Sequence, residues 1–199
     1  MTALALDHLV FGVPDLVTGV AAFAERTGVQ PVPGGRHVGR GTANYLVGLG
    51  DHRYLEIIGP DPDQPEPPGP RPFGVDELTE ARLLTWCARP DDLDRCVAQA
   101  RARGYDPGEP AAMSRRTPDG TVLNWRLTPD TVADGGIVPF LIDWGASEHP
   151  TARALPQLQL ASLTAEHPRP AAVIGALRAL GSTLAVAAGP TPRLTMQLR

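Results

Sequence analysis

Leu6-Asp7-His8-Leu9-Val10-Phe11-Gly12-Val13-Pro14-Asp15-Leu16 runs an apolar strand into an aspartate placed to cap a helix, and the chain returns to that arrangement twice more. Helix starts fall at Leu16, Leu93 and Pro170, two intervals of 77 residues, and glycine stops follow at Gly28, Gly104 and Gly181. A spacing this regular marks one structural unit used repeatedly. Each copy has an apolar strand, a cap or proline, an amphipathic stretch and a glycine able to take the left-handed stop.

In the first copy, a strand over 5–10 leads to a helix ending near Thr27 with Leu16, Val20 and Phe23 on one stripe. Extended segments near 29–32, 42–49 and 54–58 follow, with Gly50-Asp51 as the turn between the last two. The unit therefore reads βαβββ over residues 1–60. Residues 61–80 form a linker, because proline at 62, 65, 67, 68, 70 and 72 can neither pair as sheet nor propagate a helix. A second βαβββ unit spans 81–150. Its strand covers 83–88, Asp91 or Asp92 is the cap, and Leu93, Cys96, Val97 and Ala100 form the buried stripe. Strands over 111–115, 121–127 and 138–144 complete it, with Pro118-Asp119-Gly120 as a turn. A third unit over 156–199 has a strand at 158–163, Pro170 at its first helical position, and a stripe of Val173, Ile174, Leu177 and Leu180. Only 18 residues follow Gly181, enough for a hairpin around Gly189-Pro190, so this copy is truncated to βαββ. The expected fold is α+β: tandem βαβββ units forming curved mixed sheets, with the helices outside.

A chain of 199 residues, 42% hydrophobic, can bury one sizeable core and is short for two independent ones. The net charge of −4 argues against nucleic acid as a partner, and the fact that all 18 cationic side chains are arginine carries no functional signal. Cys87 and Cys96 have no CxxC spacing and read as small buried hydrophobes. No basic-then-apolar leader and no 18-residue apolar run occurs, so the expectation is a cytoplasmic protein without a membrane partner.

Strand parity puts Tyr54, Glu56 and Ile58 on one face and Leu55 and Ile57 on the other. A carboxyl group among apolar neighbours is pushed toward its protonated form, which suits a general acid or base. The glycine-rich stretch from Gly34 to Gly41, with His37 inside it, fits neither GxGxxG before a helix nor GxxxxGK[ST], so it reads either as a flexible crossing or as a substrate-contact loop. Thr42 and Asn44 share a face of the next strand and are placed to hydrogen-bond beside His37. Trp86, Trp125 and Trp144 are candidates for an apolar pocket wall. Arg126 is a candidate substrate contact, with a salt bridge to Asp143 as the alternative.

A histidine in the first strand and a glutamate in the fourth of tandem βαβββ units resemble the glyoxalase-like domain family of the vicinal oxygen chelate superfamily. The resemblance covers about residues 4–150. It rests on His8 in Leu-Asp-His-Leu-Val, on the block Gly34-Gly35-Arg36-His37-Val38-Gly39-Arg40-Gly41-Thr42-Ala43-Asn44, and on Tyr54-Leu55-Glu56-Ile57-Ile58. In the second half it rests on Pro139-Phe140-Leu141-Ile142-Asp143-Trp144-Gly145 and on His149-Pro150. It implies a half-open barrel in which each unit offers one metal ligand from its first strand and one from its fourth. His8 and Glu56 match the first pair, but Thr85 and Ile142 stand where the second pair would be. Two ligands are too few for a divalent metal, so either the metal is lost or His37 or His149 completes the shell. The implied function is a lyase- or isomerase-type enzyme acting through His8, Glu56 and His37 on a small oxygen-rich metabolite, with or without a metal. The alternative is a non-catalytic protein that sequesters a small molecule, as in bleomycin resistance. Members of this superfamily commonly pair through sheet edges, so a homodimer is a further expectation.

Overall fold

In the computed structural model, residues 4–129 and 132–199 are described. Helix α1 (Leu16–Thr27) starts where the Asp15 side chain accepts the Thr18 amide, and ends at Gly28 with φ of 71°. Helix α2 (Leu93–Ala102) is capped in the same way by Asp92, which accepts from the Arg95 amide. Helix α3 (Ala171–Leu180) follows Pro170 and stops at Gly181. The first two helices bury the stripes Leu16, Val20, Phe23 and Leu93, Val97, Ala100, while Cys96 of α2, expected in that stripe, and Ile174 of α3 are only half-buried.

The strands are β1 (Ala5–Gly12), β2 (Val32–His37), β3 (Thr42–Gly48), β4 (Tyr54–Pro60), β5 (Arg82–Arg89), β6 (Ala111–Arg116), β7 (Val122–Leu127), β8 (Phe140–Asp143), β9 (Leu160–His167), β10 (Val186–Ala188) and β11 (Arg193–Leu198). The first eight close into a barrel in the order β1-β4-β3-β2-β6-β7-β8-β5. Strand β1 runs parallel to β4 and β5 parallel to β8, and the barrel's other ladders are antiparallel. The expected α+β class with a curved mixed sheet is therefore present, with the sheet fully closed.

The β1/β5 ladder skips one residue on each strand, Asp7 and Leu84, and these two are themselves 77 positions apart. The opposite seam is a single pair, Arg36 with Arg116. It depends on Gly35, at φ of 144°, because a Cβ there would lie 2.3 Å from the Arg116 carbonyl oxygen. The first part of the glycine-rich block is thus strand rather than a crossing loop: β2 covers Val32–His37 instead of 29–32.

Alternation divides the apolar residues into two layers. Leu9, Phe11, Leu55, Ile57 and Trp86 face the helices in one cluster, and Val10, Tyr54, Ile58, Trp125 and Phe140 fill the barrel in the other. Strand β9 lies between a parallel β10 and an antiparallel β11. The expected hairpin around Gly189-Pro190 is therefore absent, since the strands flanking that turn pair with β9 instead of with each other. Ala165, Val173, Leu177, Leu180 and Leu194 nevertheless join the outer cluster. The proline-rich stretch packs on the barrel as well: Arg71 Nε donates to the Gly41 carbonyl at 2.9 Å, and a 3-10 turn at Pro72–Glu77 buries Pro72 and Val75. No helix among the described residues is long and apolar enough to cross a membrane.

Candidate active site

Inward-facing positions of β1, β2 and β4 bring His8, His37, Tyr54 and Glu56 to one cleft inside the barrel. Glu56 sits at its centre. Its Oε1 accepts from Asn44 Nδ2 at 2.5 Å and lies 3.6 Å from His37 Nε2, while Oε2 lies 3.6 Å from His8 Nε2. The His8 ring stacks on Tyr54 with centroids 4.7 Å apart. Its Nδ1 is 2.7 Å from Asp7 Oδ1.

Asp7 is fully buried. Burial alone would raise its pKa, but hydrogen bonds from His149 and His8 and the charge of both rings outweigh that and hold the carboxyl well below the usual range. As an acceptor only, it takes the Nδ1 proton of His8, which leaves Nε2 as the atom that faces Glu56 and can exchange a proton. The other Asp7 oxygen lies 3.2 Å from Trp144 Nε1, 3.2 Å from His149 Nε2 and 3.3 Å from Arg89 Nη1.

His37 is fixed by Thr42 Oγ1, 3.0 Å from its Nδ1. Burial, helped by the charges of Arg115 and Arg40 and opposed by Glu56, lowers its pKa to about 4, so the ring is neutral at pH 7. This depression has a testable sign. Above about pH 7.5 neither the folded nor the unfolded chain protonates this ring. As pH falls, the unfolded chain takes the proton first, and stability is lost progressively down to about pH 4. In thermal melts across that window, the His37→Gln protein is expected to show a shallower decline than wild type. Equal slopes would contradict the assignment. The contribution of Asp7 is lost from about pH 5 downward, where its unfolded form begins to protonate, and is common to wild type and His37→Gln.

Thr42 and Asn44 thus stand behind the cleft, each orienting a residue that lines it. Trp125 and Trp144 form its apolar wall, with ring centroids 5.3 Å apart. Trp86 lies on the other face of the sheet, where it donates to the Ile137 carbonyl at 2.8 Å. Arg126 is also outside the cleft, bound through both terminal nitrogens to Asp94 at 2.9 and 2.6 Å rather than to Asp143. His149 serves Asp7 and not Glu56. The cleft includes residues that the pattern analysis did not assign: Arg115, Phe140, and Phe73 from the proline-rich stretch.

The donor set does not fit a divalent metal. Among the described residues, the one group of histidine, cysteine, aspartate or glutamate donors lying within 4.8 Å of one another is Asp7, His8 and Cys87, and the Asp7 oxygens already accept from several partners. His8 and His37 approach opposite oxygens of Glu56 and do not converge. At the positions of the missing second pair, Thr85 Oγ1 donates to the Gly136 carbonyl at 3.2 Å, and Ile142 offers only hydrocarbon to the cleft.

The structure is similar to the crystal structure of a hypothetical protein from Staphylococcus aureus, at 14% identity and a TM-score of 0.73, over 97% of this chain and 90% of that one. That likeness concerns the fold. Weaker likenesses are to methylmalonyl-CoA epimerase from Mycobacterium tuberculosis (18% identity, TM-score 0.44, 71% of this chain and 90% of that one) and to methylmalonyl-CoA epimerase in complex with methylmalonyl-CoA and NH4+ (19%, 0.47, 75% and 100%). No curated protein matches the sequence. The profile of the glyoxalase-like domain matches residues 6–181. With the closed sheet, that match over most of the chain makes this protein a member of the glyoxalase-like domain family.

Proposed function

We propose that the protein is a lyase- or isomerase-type enzyme that moves a proton on a small oxygen-rich molecule by acid–base chemistry alone. The observation that supports this reading is the Glu56 carboxylate held by Asn44 with an imidazole 3.6 Å from each oxygen. In this scheme Glu56 takes a proton from a carbon beside a carbonyl, and the electron pair moves onto the carbonyl oxygen. His8, oriented by Asp7 at Nδ1, donates to that oxygen from Nε2 when the ring carries both protons, and takes the proton back as the carbonyl re-forms. Returning the proton to a neighbouring atom gives isomerisation, and expelling a substituent gives elimination. Separations of 3.6 Å in the free protein are long for proton transfer and are expected to tighten around a substrate.

The test is deuterium incorporation from D2O into a pool of small oxo and hydroxy compounds, followed by NMR with protein pretreated with a chelator. Exchange that persists after chelation and is lost in Glu56→Gln supports the reading. No exchange with any compound, together with saturable binding, would replace it by the second reading, small-molecule sequestration, which the apolar wall of Trp125, Phe140 and Trp144 also suits.

We also read β1 to β4 with α1, over 1–60, and β5 to β8 with α2, over 81–150, as two copies of one βαβββ unit. Residues 156–199 are then a shortened third copy. The matched caps and the 77-residue offset between the Asp7 and Leu84 bulges support this. Free Cys87 and Cys96 suit a reducing, cytoplasmic compartment. Because the barrel is closed, a homodimer formed through strand edges would use β10 or β11.

A further inference from the structure

Arg115 is 3% exposed, on β6, and faces the cleft. Its Nε has no hydrogen-bond partner, and no described residue makes a hydrogen bond or an ion pair with its guanidinium. Glu56, the one carboxylate among the described residues lining the cleft, acts on it without forming an ion pair. A buried cation left without a counter-charge is strongly unfavourable, and arginine does not escape by losing its proton.

A second donor in the same wall is also unpartnered. Trp125 Nε1 is buried with nothing to donate to. In the β6/β7 ladder Met113 pairs with Trp125 and Arg115 with Leu123. This makes Arg115 and Trp125 diagonal neighbours on the inner face, within reach of one bound group. Around them the wall is aromatic and apolar: Phe73, Phe140 and Trp144.

We propose that Arg115 and Trp125 Nε1 form the seat of a carboxylate, so that the ligand of this cleft is a monocarboxylate with an apolar body. The guanidinium fork matches a planar carboxylate, and the indole N–H adds a third donor. A single negative charge is favoured over a phosphate dianion because Glu56 already places a carboxylate in the same cleft. Repulsion from Glu56 also fixes the orientation, with the carboxylate at β6 and β7 and the rest of the molecule reaching toward β1 and β4. The inference names the substrate class for the acid–base reading above and rests on the same cleft.

The test compares phenylacetate with its neutral analogue phenylacetamide at pH 7.5, titrated into wild-type protein and followed by tryptophan fluorescence and thermal shift. Wild type is expected to prefer the acid by about tenfold or more, the effect of one charge-assisted contact in a dry site. Arg115→Met should abolish that preference while leaving the affinity for the amide nearly unchanged. Trp125→Phe, which keeps the apolar contact and drops the N–H, should reduce it about threefold. Glu56→Gln should keep the preference, so that loss of deuterium exchange in that variant reports on the acid–base reading alone. Equal affinity of wild type for the two compounds, no saturable phenylacetate binding, or a preference that survives Arg115→Met would overturn the proposal. If Arg115→Met fails to fold, the wild-type comparison and Trp125→Phe decide.

Discussion

Ending the chain after Leu155 is expected to destroy cooperative folding rather than trim the protein. Val173, Leu177 and Leu180 of α3 and Leu194 of β11 are all buried in the outer core cluster. Each such side chain contributes about 1.5–3 kcal/mol on burial. Four of them approach the whole net stability of a typical domain, about 5–15 kcal/mol, before counting the surface they cover. Truncation also removes the Gly48 backbone bonds to Pro156 and Leu158, at 2.8 and 3.0 Å, which tie β3 to the C-terminal sheet. A circular-dichroism melt should lose its sigmoidal transition and the protein should bind a hydrophobic dye. A melting curve like that of the full chain would show that residues 156–199 are an appendage.

Glu56→Gln is expected to lower the exchange rate by about 10²- to 10⁴-fold, the usual contribution of a positioned acid or base. The amide keeps the shape of the side chain and a hydrogen-bonding oxygen for Asn44, but it cannot take a proton from carbon. It also removes a buried charge, so the fold should survive and the loss should appear in turnover rather than in expression or melting temperature. A fall of less than tenfold in the rate of deuterium incorporation would remove Glu56 from the chemistry.

Much of this was legible in the chain because it rests on local rules. The helix starts at Leu16 and Leu93 follow from the Asp15 and Asp92 caps, and period-two alternation puts Tyr54, Glu56 and Ile58 on the face that lines the cleft. Trp86 was misplaced because a tryptophan in a strand looks the same from either face, and only the β1/β5 register decides which face is outside. Asp7 was hidden by the bulge: simple alternation turns it away from His8, whereas the skipped residue brings its carboxylate back to the ring. Arg115 had no local signal. It sits in Met113-Ser114-Arg115-Arg116, which reads as solvated surface until β6 closes against β2. The β9-centred sheet was missed because pairing order is set by packing against the body, and the short segment around Gly189-Pro190 is equally compatible with a hairpin.

Phe73 gives the proline-rich stretch a kinetic meaning. Its ring walls the cleft 5.6 Å from Phe140, yet its backbone is left-handed, at φ of 57° and ψ of 13°, a conformation that costs a non-glycine residue about 1–2 kcal/mol. The turn Pro72–Glu77 lies outside the barrel's hydrogen-bond ladders and carries that cost, so its opening is expected to expose Pro72 and Val75 while leaving the ladders intact. The residence time of a bound molecule is then expected to follow the opening rate of this one short turn rather than any opening of the eight-stranded barrel. Amide hydrogen exchange should accordingly be faster over residues 72–77 than in β1 and β4, and should slow when the cleft is filled. Uniform protection of turn and barrel would mean that ligands come and go by another route.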